Sequence, residues 1–175
     1  SSKGTVPVLQ FNNRVLDESL DIISWAMESP VPNVHIYNQA EKSLSLELVQ
    51  LFDTKFKYHL DRYKYSSRYD VDPKDHQEEC KIILKNLDKK INPSPWIFGK
   101  EVSLLDISIL PFIRQCKIAN PNWFFAQDFV KVIDLLNYFE NGNLFAQAMQ
   151  KYDLWDPTKN NGNISNINFS TRKKD

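Results

Sequence analysis

Three polar residues near the start of the chain, Asp17, Glu18 and Ser19, stand where an apolar strand pattern changes into a helix pattern. The first turn of a helix presents backbone N–H groups and the positive end of the helix dipole. A serine hydroxyl at this position adds another hydrogen-bond donor. These residues therefore predict a pocket for a carboxylate at Ser19 and its neighbours. The competing interpretation is that Glu18 and Ser19 only cap the helix.

The elements that would position these residues are a hairpin and a helix. Two short apolar runs flank Asn12-Asn13, a pair that favours a tight turn. A helix is predicted from Ser19 to Glu28, where Pro30 and Pro32 stop it. Because an isolated two-stranded hairpin is marginal in water, we expect it to be poorly ordered, supported by the rest of the chain, or completed by another chain.

The composition is that of a globular protein rich in helix. The 175 residues are 42% hydrophobic and 25% charged, and only four are glycine, which argues against an all-β architecture. Lys plus Arg and Asp plus Glu number 22 each, so charge gives no reason to expect nucleic acid or an anionic membrane as partner. There is no run of about 18 apolar residues, and no signal-like start, so we expect a cytoplasmic protein.

Apolar residues recur at helical spacing in two long stretches, Glu41 to Leu60 and Pro73 to Ile91. This periodicity predicts two amphipathic helices. Before them, Ser29 to Gln39 is interpreted as a linker with an apolar anchor formed by His35, Ile36 and Tyr37. Between the helices, His59 to Tyr69 concentrates cations and tyrosines. It is either a solvated loop or one flank of a ligand cleft, through Tyr63, Lys64 and Tyr65.

The clearest helix start is Ser103, three residues before Asp106. This is capping-box spacing, so both residues are assigned a structural role. The helix that follows, from Leu104 to about Ile118, is apolar nearly all round, as expected of a core helix. Pro111 should kink it. Two more helices are predicted, over Phe129 to Phe139 and Leu144 to Met149.

Histidines and cysteines suggest no metal site. His35, His59 and His76 are scattered, and none stands at ligand spacing from acids or cysteines. The two cysteines, Cys80 and Cys116, both fall on predicted apolar helix faces, which favours buried free thiols over a disulfide.

Two of these stretches together resemble the glutathione S-transferase family. Val6-Pro7 entering a strand, followed by Asp17-Glu18-Ser19, is similar to the second half of its thioredoxin-like domain. The capped run Ser103 to Gln115 is similar to the central helix of its all-helical domain. The resemblance extends over about Ser2 to Asp156.

The resemblance implies a mainly α fold: a transferase C-terminal-type helical bundle preceded by a β-hairpin and helix that remain from a thioredoxin-like domain. The implied divisions are a partial glutathione-binding domain (1–30), a linker (31–40), an all-α domain (41–156) and a polar tail (157–175).

The resemblance also implies a glutathione site. The backbone of Val6 would pair with the cysteinyl part of glutathione, and Pro7 would be a cis-proline. Glu18 would meet the γ-glutamyl ammonium, and Ser19 its carboxylate. No catalytic residue is assigned, because the Tyr, Ser or Cys that acts on the sulfur in this family would precede Ser1.

The function implied is conjugation of glutathione, as co-substrate, to a small electrophile, or glutathione-dependent exchange with a disulfide substrate. The alternative is a non-catalytic binding or assembly module. No nucleic-acid or membrane partner is expected. The sequence leaves the oligomeric state open, and the resemblance makes a homodimer one possibility, because homodimers are common in families of this kind. For the chain as given we expect weak glutathione binding and little turnover.

Overall fold

The computed structural model describes residues 4, 6–11, 13–28 and 34–151. Several predicted features lie outside them: Asn12 of the turn, the helix-stopping Pro30 and Pro32, the start of the linker, and the polar tail. The predicted domain boundaries stay predictions.

The described N-terminal part is a hairpin followed by one helix. Strand β1 (Leu9–Phe11) pairs antiparallel with β2 (Arg14–Leu16), in the register Leu9 to Leu16. Helix α1 (Ser19–Ala26) follows, and none of its residues is fully buried. Phe11 packs against Trp25, with ring centroids 4.9 Å apart. This part of the chain therefore gains little stability from burial of its own.

The first long helix of the bundle extends further than the sequence predicts. Helix α2 (Gln39–Leu51) begins at a capping box formed by Asn38 and Glu41, and passes through a π-helical segment (Phe52–Phe56) into α3 (Lys57–Lys64). Short helix α4 (Ser66–Tyr69) follows. The interpretation of residues 59–69 as a loop is thus wrong: the wider π turn keeps Phe52, Phe56 and Leu60 buried, so the helix continues.

Helices α5 (Pro73–Lys90) and α6 (Leu104–Ala119) form the centre of the bundle. The inner stripe predicted for this helix is confirmed, because all five residues of the stripe are buried: Cys80, Ile83, Leu84 and Leu87 in α5, and Ile91 directly after it. The capping box at the start of α6 is also confirmed. The Ser103 hydroxyl accepts from the Asp106 N–H (3.2 Å), and the Asp106 carboxylate accepts from the Ser103 N–H (2.9 Å).

Helices α7 (Pro121–Phe125), α8 (Val130–Glu140) and α9 (Asn143–Ala148) close the bundle.

The described part of the linker is anchored on the bundle as predicted, with one correction. Tyr37 and His35 pack around Phe98, and the Tyr37 hydroxyl accepts from the Leu105 N–H (2.6 Å). Ile36, predicted to share this anchor, is 90% exposed instead. Across the described ranges, no helix combines the length and apolarity needed to cross a bilayer.

Candidate functional site

A cavity of about 820 Å³ lies between the N-terminal part and the helical bundle. This volume is within the range of small-molecule sites. Its N-terminal wall consists of the residues around the start of α1: Val6, Pro7, Asp17, Glu18, Ser19, Leu20 and Ile23. The four residues predicted to hold glutathione therefore border one cavity.

The geometry of this wall suits an extended, charged ligand. The Val6–Pro7 peptide bond is cis, and Val6, which borders the cavity, is 91% exposed. Glu18 is the N-cap residue of α1 in extended conformation, and its side chain makes no capping hydrogen bond. Ser19 begins the first turn, whose N–H groups and dipole favour an anion.

The bundle contributes the opposite wall, from two helices. Asp53 and Lys57 come from the π-helical segment and the start of α3, and Ile107, Ser108, Pro111, Phe112 and Gln115 from α6. Ile107, Pro111 and Phe112 give this wall its apolar surface. Ser108 adds a hydroxyl that is buried without a hydrogen-bond partner among the residues the structure describes. Lys57 adds a cation at the cavity edge.

Tyr63, Lys64 and Tyr65 are not among the residues that line this cavity. The Tyr63 hydroxyl accepts from the Gln77 side-chain amide (2.6 Å), and burial raises the pKa of Tyr63. Lys64 donates to the side chain of Gln115 (2.5 Å), which does line the cavity. Tyr65 is exposed. Contact of Tyr63, Lys64 and Tyr65 with a substrate stays a prediction. The hydrogen bond to Gln115 connects Lys64 to the cavity wall.

Asp53 and Lys57 were not predicted from the sequence as residues of the site. Asp53 directly follows the buried Phe52, and Lys57 directly follows the buried Phe56, four residues later. Only the packing of this helix against α6 determines that the side of the helix carrying Asp53 and Lys57 borders the cavity. None of the described residues on the cavity wall carries a thiol or a phenol. Within the described ranges, no group of three or more His, Cys, Asp and Glu residues could hold a metal ion.

Comparison with known sequences identifies two plant relatives of moderate similarity, while no family model matches the chain. Glutathione S-transferase L1 of Arabidopsis thaliana is 27% identical over 114 residues, and glutathione S-transferase L3 of the same plant is 28% identical over 111 residues. These alignments cover 65% and 63% of this chain. They cover only 46% and 44% of the relatives, so the chain spans less than half of their length.

Comparison of structures gives a broader match. A glutathione S-transferase from Actinobacillus pleuropneumoniae superposes with a TM-score of 0.67 at 15% identity, covering 85% of this chain and 69% of that one. Glutathione transferase Omega 3C from Trametes versicolor gives 0.66 at 15% identity, covering 87% and 70%. The chain has the glutathione S-transferase fold. The resemblance seen in the sequence, a partial thioredoxin-like part before a helical bundle, is confirmed.

Within the glutathione S-transferase fold, the two halves of the cavity wall have different characters. The N-terminal wall contains backbone groups, the carboxylates of Asp17 and Glu18, and a helix N-terminus. The bundle wall offers apolar surface with isolated polar groups. Such a cavity can hold a polar molecule on one side and an apolar one beside it.

Proposed function

We propose that this chain belongs to a glutathione-dependent transferase, in which it holds glutathione along the Val6, Pro7, Glu18 and Ser19 wall. The observation that supports this most directly is that these four residues border one cavity of about 820 Å³ at the N-terminus of α1. The similarity to glutathione S-transferases adds support from the sequence.

In this proposal each residue meets one part of glutathione. Ser19 and the first-turn N–H groups bind the γ-glutamyl carboxylate, and the carboxylate of Glu18 binds the ammonium beside it. The backbone of Val6 pairs with the cysteinyl part. These contacts supply affinity and orientation, so that the sulfur is directed towards the bundle wall.

The second substrate would lie against Ile107, Pro111 and Phe112, which favours a molecule with an apolar body. The reaction is attack of the glutathione thiolate on an electrophile or a disulfide. Conjugation and thiol exchange share this first step, and both stay open. The cytoplasmic location and the homodimer remain predictions.

Binding of glutathione to the full 175-residue chain, measured by isothermal titration calorimetry, tests the proposal. Loss of a charge-assisted hydrogen bond costs about 1.5–3 kcal/mol, so Ser19→Ala and Glu18→Gln should each raise the Kd roughly 10-fold or more. Ser43→Ala is the matched control, because Ser43 is exposed on α2 and bonds only within its own helix. No binding by the parent chain at millimolar glutathione, or unchanged Kd in both variants, would refute it.

The alternative is a non-catalytic binding or assembly module. It rests on the lack of an assigned residue that acts on the glutathione sulfur: the described cavity wall carries the hydroxyls of Ser19 and Ser108 but no thiol or phenol. Measuring turnover of a chromogenic electrophile separates the two. Acceleration well above the spontaneous reaction with glutathione supports the enzyme. Because little turnover is expected of these 175 residues in either case, binding without acceleration is followed by the same assay on the native protein purified from its source, where a lack of acceleration supports the module.

A further inference from the structure

Two histidines that are distant in sequence meet between helices α3 and α5. Nδ1 of His59 lies 2.8 Å from Nδ1 of His76, a hydrogen-bond distance. Such a bond requires that one ring carries a proton on Nδ1 while the other presents its lone pair there. The contact therefore exists only while at least one of these two nitrogen atoms is unprotonated.

The surroundings of the pair offer little to balance additional positive charge. Glu79 lies 3.9 Å from Nε2 of His59, but its carboxylate is already 3.0 Å from the ammonium of Lys55. Arg62 adds a second cation, stacked 3.5 Å above the ring of Tyr58. The Tyr58 ring packs edge-on against both imidazoles. The carboxylate of Glu79 is thus shared between Lys55 and His59, while Arg62 adds positive charge near the pair.

A single added proton is compatible with this arrangement. The donor ring can accept it on Nε2 and still donate its Nδ1–H to the neutral partner, as a charge-assisted hydrogen bond. A second proton removes the acceptor lone pair and leaves two imidazolium rings in contact. Because the sites are coupled, their two protonation steps belong to the pair and not to either residue.

The environment of His59 also disfavours its protonation. Burial lowers the pKa of His59, and His76, Lys55 and Arg62 lower it further, while Glu79 opposes them. A histidine with a lowered pKa binds fewer protons when folded than when unfolded. The contribution of His59 to folding stability is then fully present above its unfolded pKa of about 6.5, and it is lost progressively as the pH falls from there through the lower folded pKa.

We propose that His59 and His76 form a pH-sensitive clasp, which holds α3 on α5 while the pair carries at most one proton and loosens when both rings are protonated. The consequence reaches the cavity, because α3 begins with Lys57 on the cavity wall. Loosening of this helix in acid would therefore alter the shape of the candidate site.

Titration of the imidazole signals of the full chain by NMR tests the clasp directly. The chain has only three histidines, so each signal can be assigned by removing one. We expect the second proton of the pair to bind at a lower pH than the first, and backbone amides of α3 to exchange faster as it does. Independent titration of His59 and His76 near pH 6.5, with no change in α3, would overturn the proposal.

A second test compares unfolding equilibria between pH 7.5 and 5, where histidines dominate the titration. If unfolding takes up one proton, the unfolding constant of the parent rises by up to about tenfold for each unit by which the pH is lowered. The double variant H59N/H76N should lose most of this rise, because asparagine amides can hydrogen-bond without titrating. His35→Asn, at a separate contact with Glu41, is the control and should keep it. An equal rise in the parent and the double variant would refute the clasp, and if the variant does not fold, the NMR titration of the parent decides.

Discussion

Replacement of Asp106 by alanine should destabilise the helical bundle by about 3 kcal/mol. Its side chain is fully buried and accepts three hydrogen bonds: from the Ile97 N–H (3.2 Å), the Ser103 N–H (2.9 Å) and the Ser103 hydroxyl (2.5 Å). These bonds tie the segment before α6 to the first turn of the helix. Alanine at this position leaves all three donors without their acceptor.

The size of the effect follows from which donors can find a new partner. The Ser103 hydroxyl can rotate, but the two backbone N–H groups are fixed in buried positions. Each buried donor left unsatisfied costs about 1–3 kcal/mol, which gives about 2–6 kcal/mol for the two. Burial raises the pKa of Asp106, so the wild-type protein bears a desolvation cost that alanine removes. The net value should therefore lie in the lower half of that range.

Urea unfolding at pH 7, followed by far-UV circular dichroism, measures this difference. A loss of about 3 kcal/mol in a domain of this size corresponds to a fall in Tm of roughly 10 °C. Ser103→Ala should cost less, about 1 kcal/mol, because it removes the cap acceptor but leaves both backbone bonds to Asp106 in place. Glu101→Ala is the control for the change in charge, since Glu101 is exposed two residues before the cap.

The double variant S103A/D106A gives a further check. Because the two side chains bond to each other, their effects should not add, and a coupling of about 1 kcal/mol is expected. A loss below 0.5 kcal/mol for Asp106→Ala, typical of a surface substitution, would refute the assignment of Asp106 as the residue that joins these two segments.

Two further predictions concern buried polar groups. Tyr37→Phe should destabilise by about 1–3 kcal/mol in urea unfolding, because its hydroxyl accepts from the Leu105 N–H and the Ser45 hydroxyl; an unchanged midpoint would contradict this. Cys80 and Cys116 are both buried, and their mutual hydrogen bond together with burial raises the pKa of Cys80. A thiol-specific reagent at pH 8 should therefore modify the folded protein slowly and both thiols rapidly in urea; equal rates in the two conditions would show that these thiols are accessible.

Much of the bundle is predictable because it is encoded locally. The inner stripe of α5 repeats at helical spacing, and Ser103 and Asp106 form their capping box within a single turn. Such patterns depend on neighbours three or four residues away, so a single sequence contains them. The π-helical segment is different, because the extra residue per turn is accommodated only by packing of Phe52 and Phe56 in the core.

The candidate site shows the same division. The residues of the N-terminal wall were identified from the order in which Val6, Pro7, Glu18 and Ser19 occur, and the cavity between this wall and the bundle brings them together. The residues of the opposite wall could not be predicted from their order in the sequence. Asp53 and Lys57 border the cavity only because their helix packs against α6, which lies some fifty residues further along the chain.

The sequence by itself thus determined the mainly helical class, the capped core helix and the likeness to glutathione S-transferases, since all three rest on short-range patterns of residue type. Only the tertiary structure decided which polar side chains face one another. His59 and His76 are 17 residues apart, and neither has a sequence neighbour that marks it as special. Their contact arises because α3 and α5 pack side by side, and this long-range geometry is absent from local periodicity.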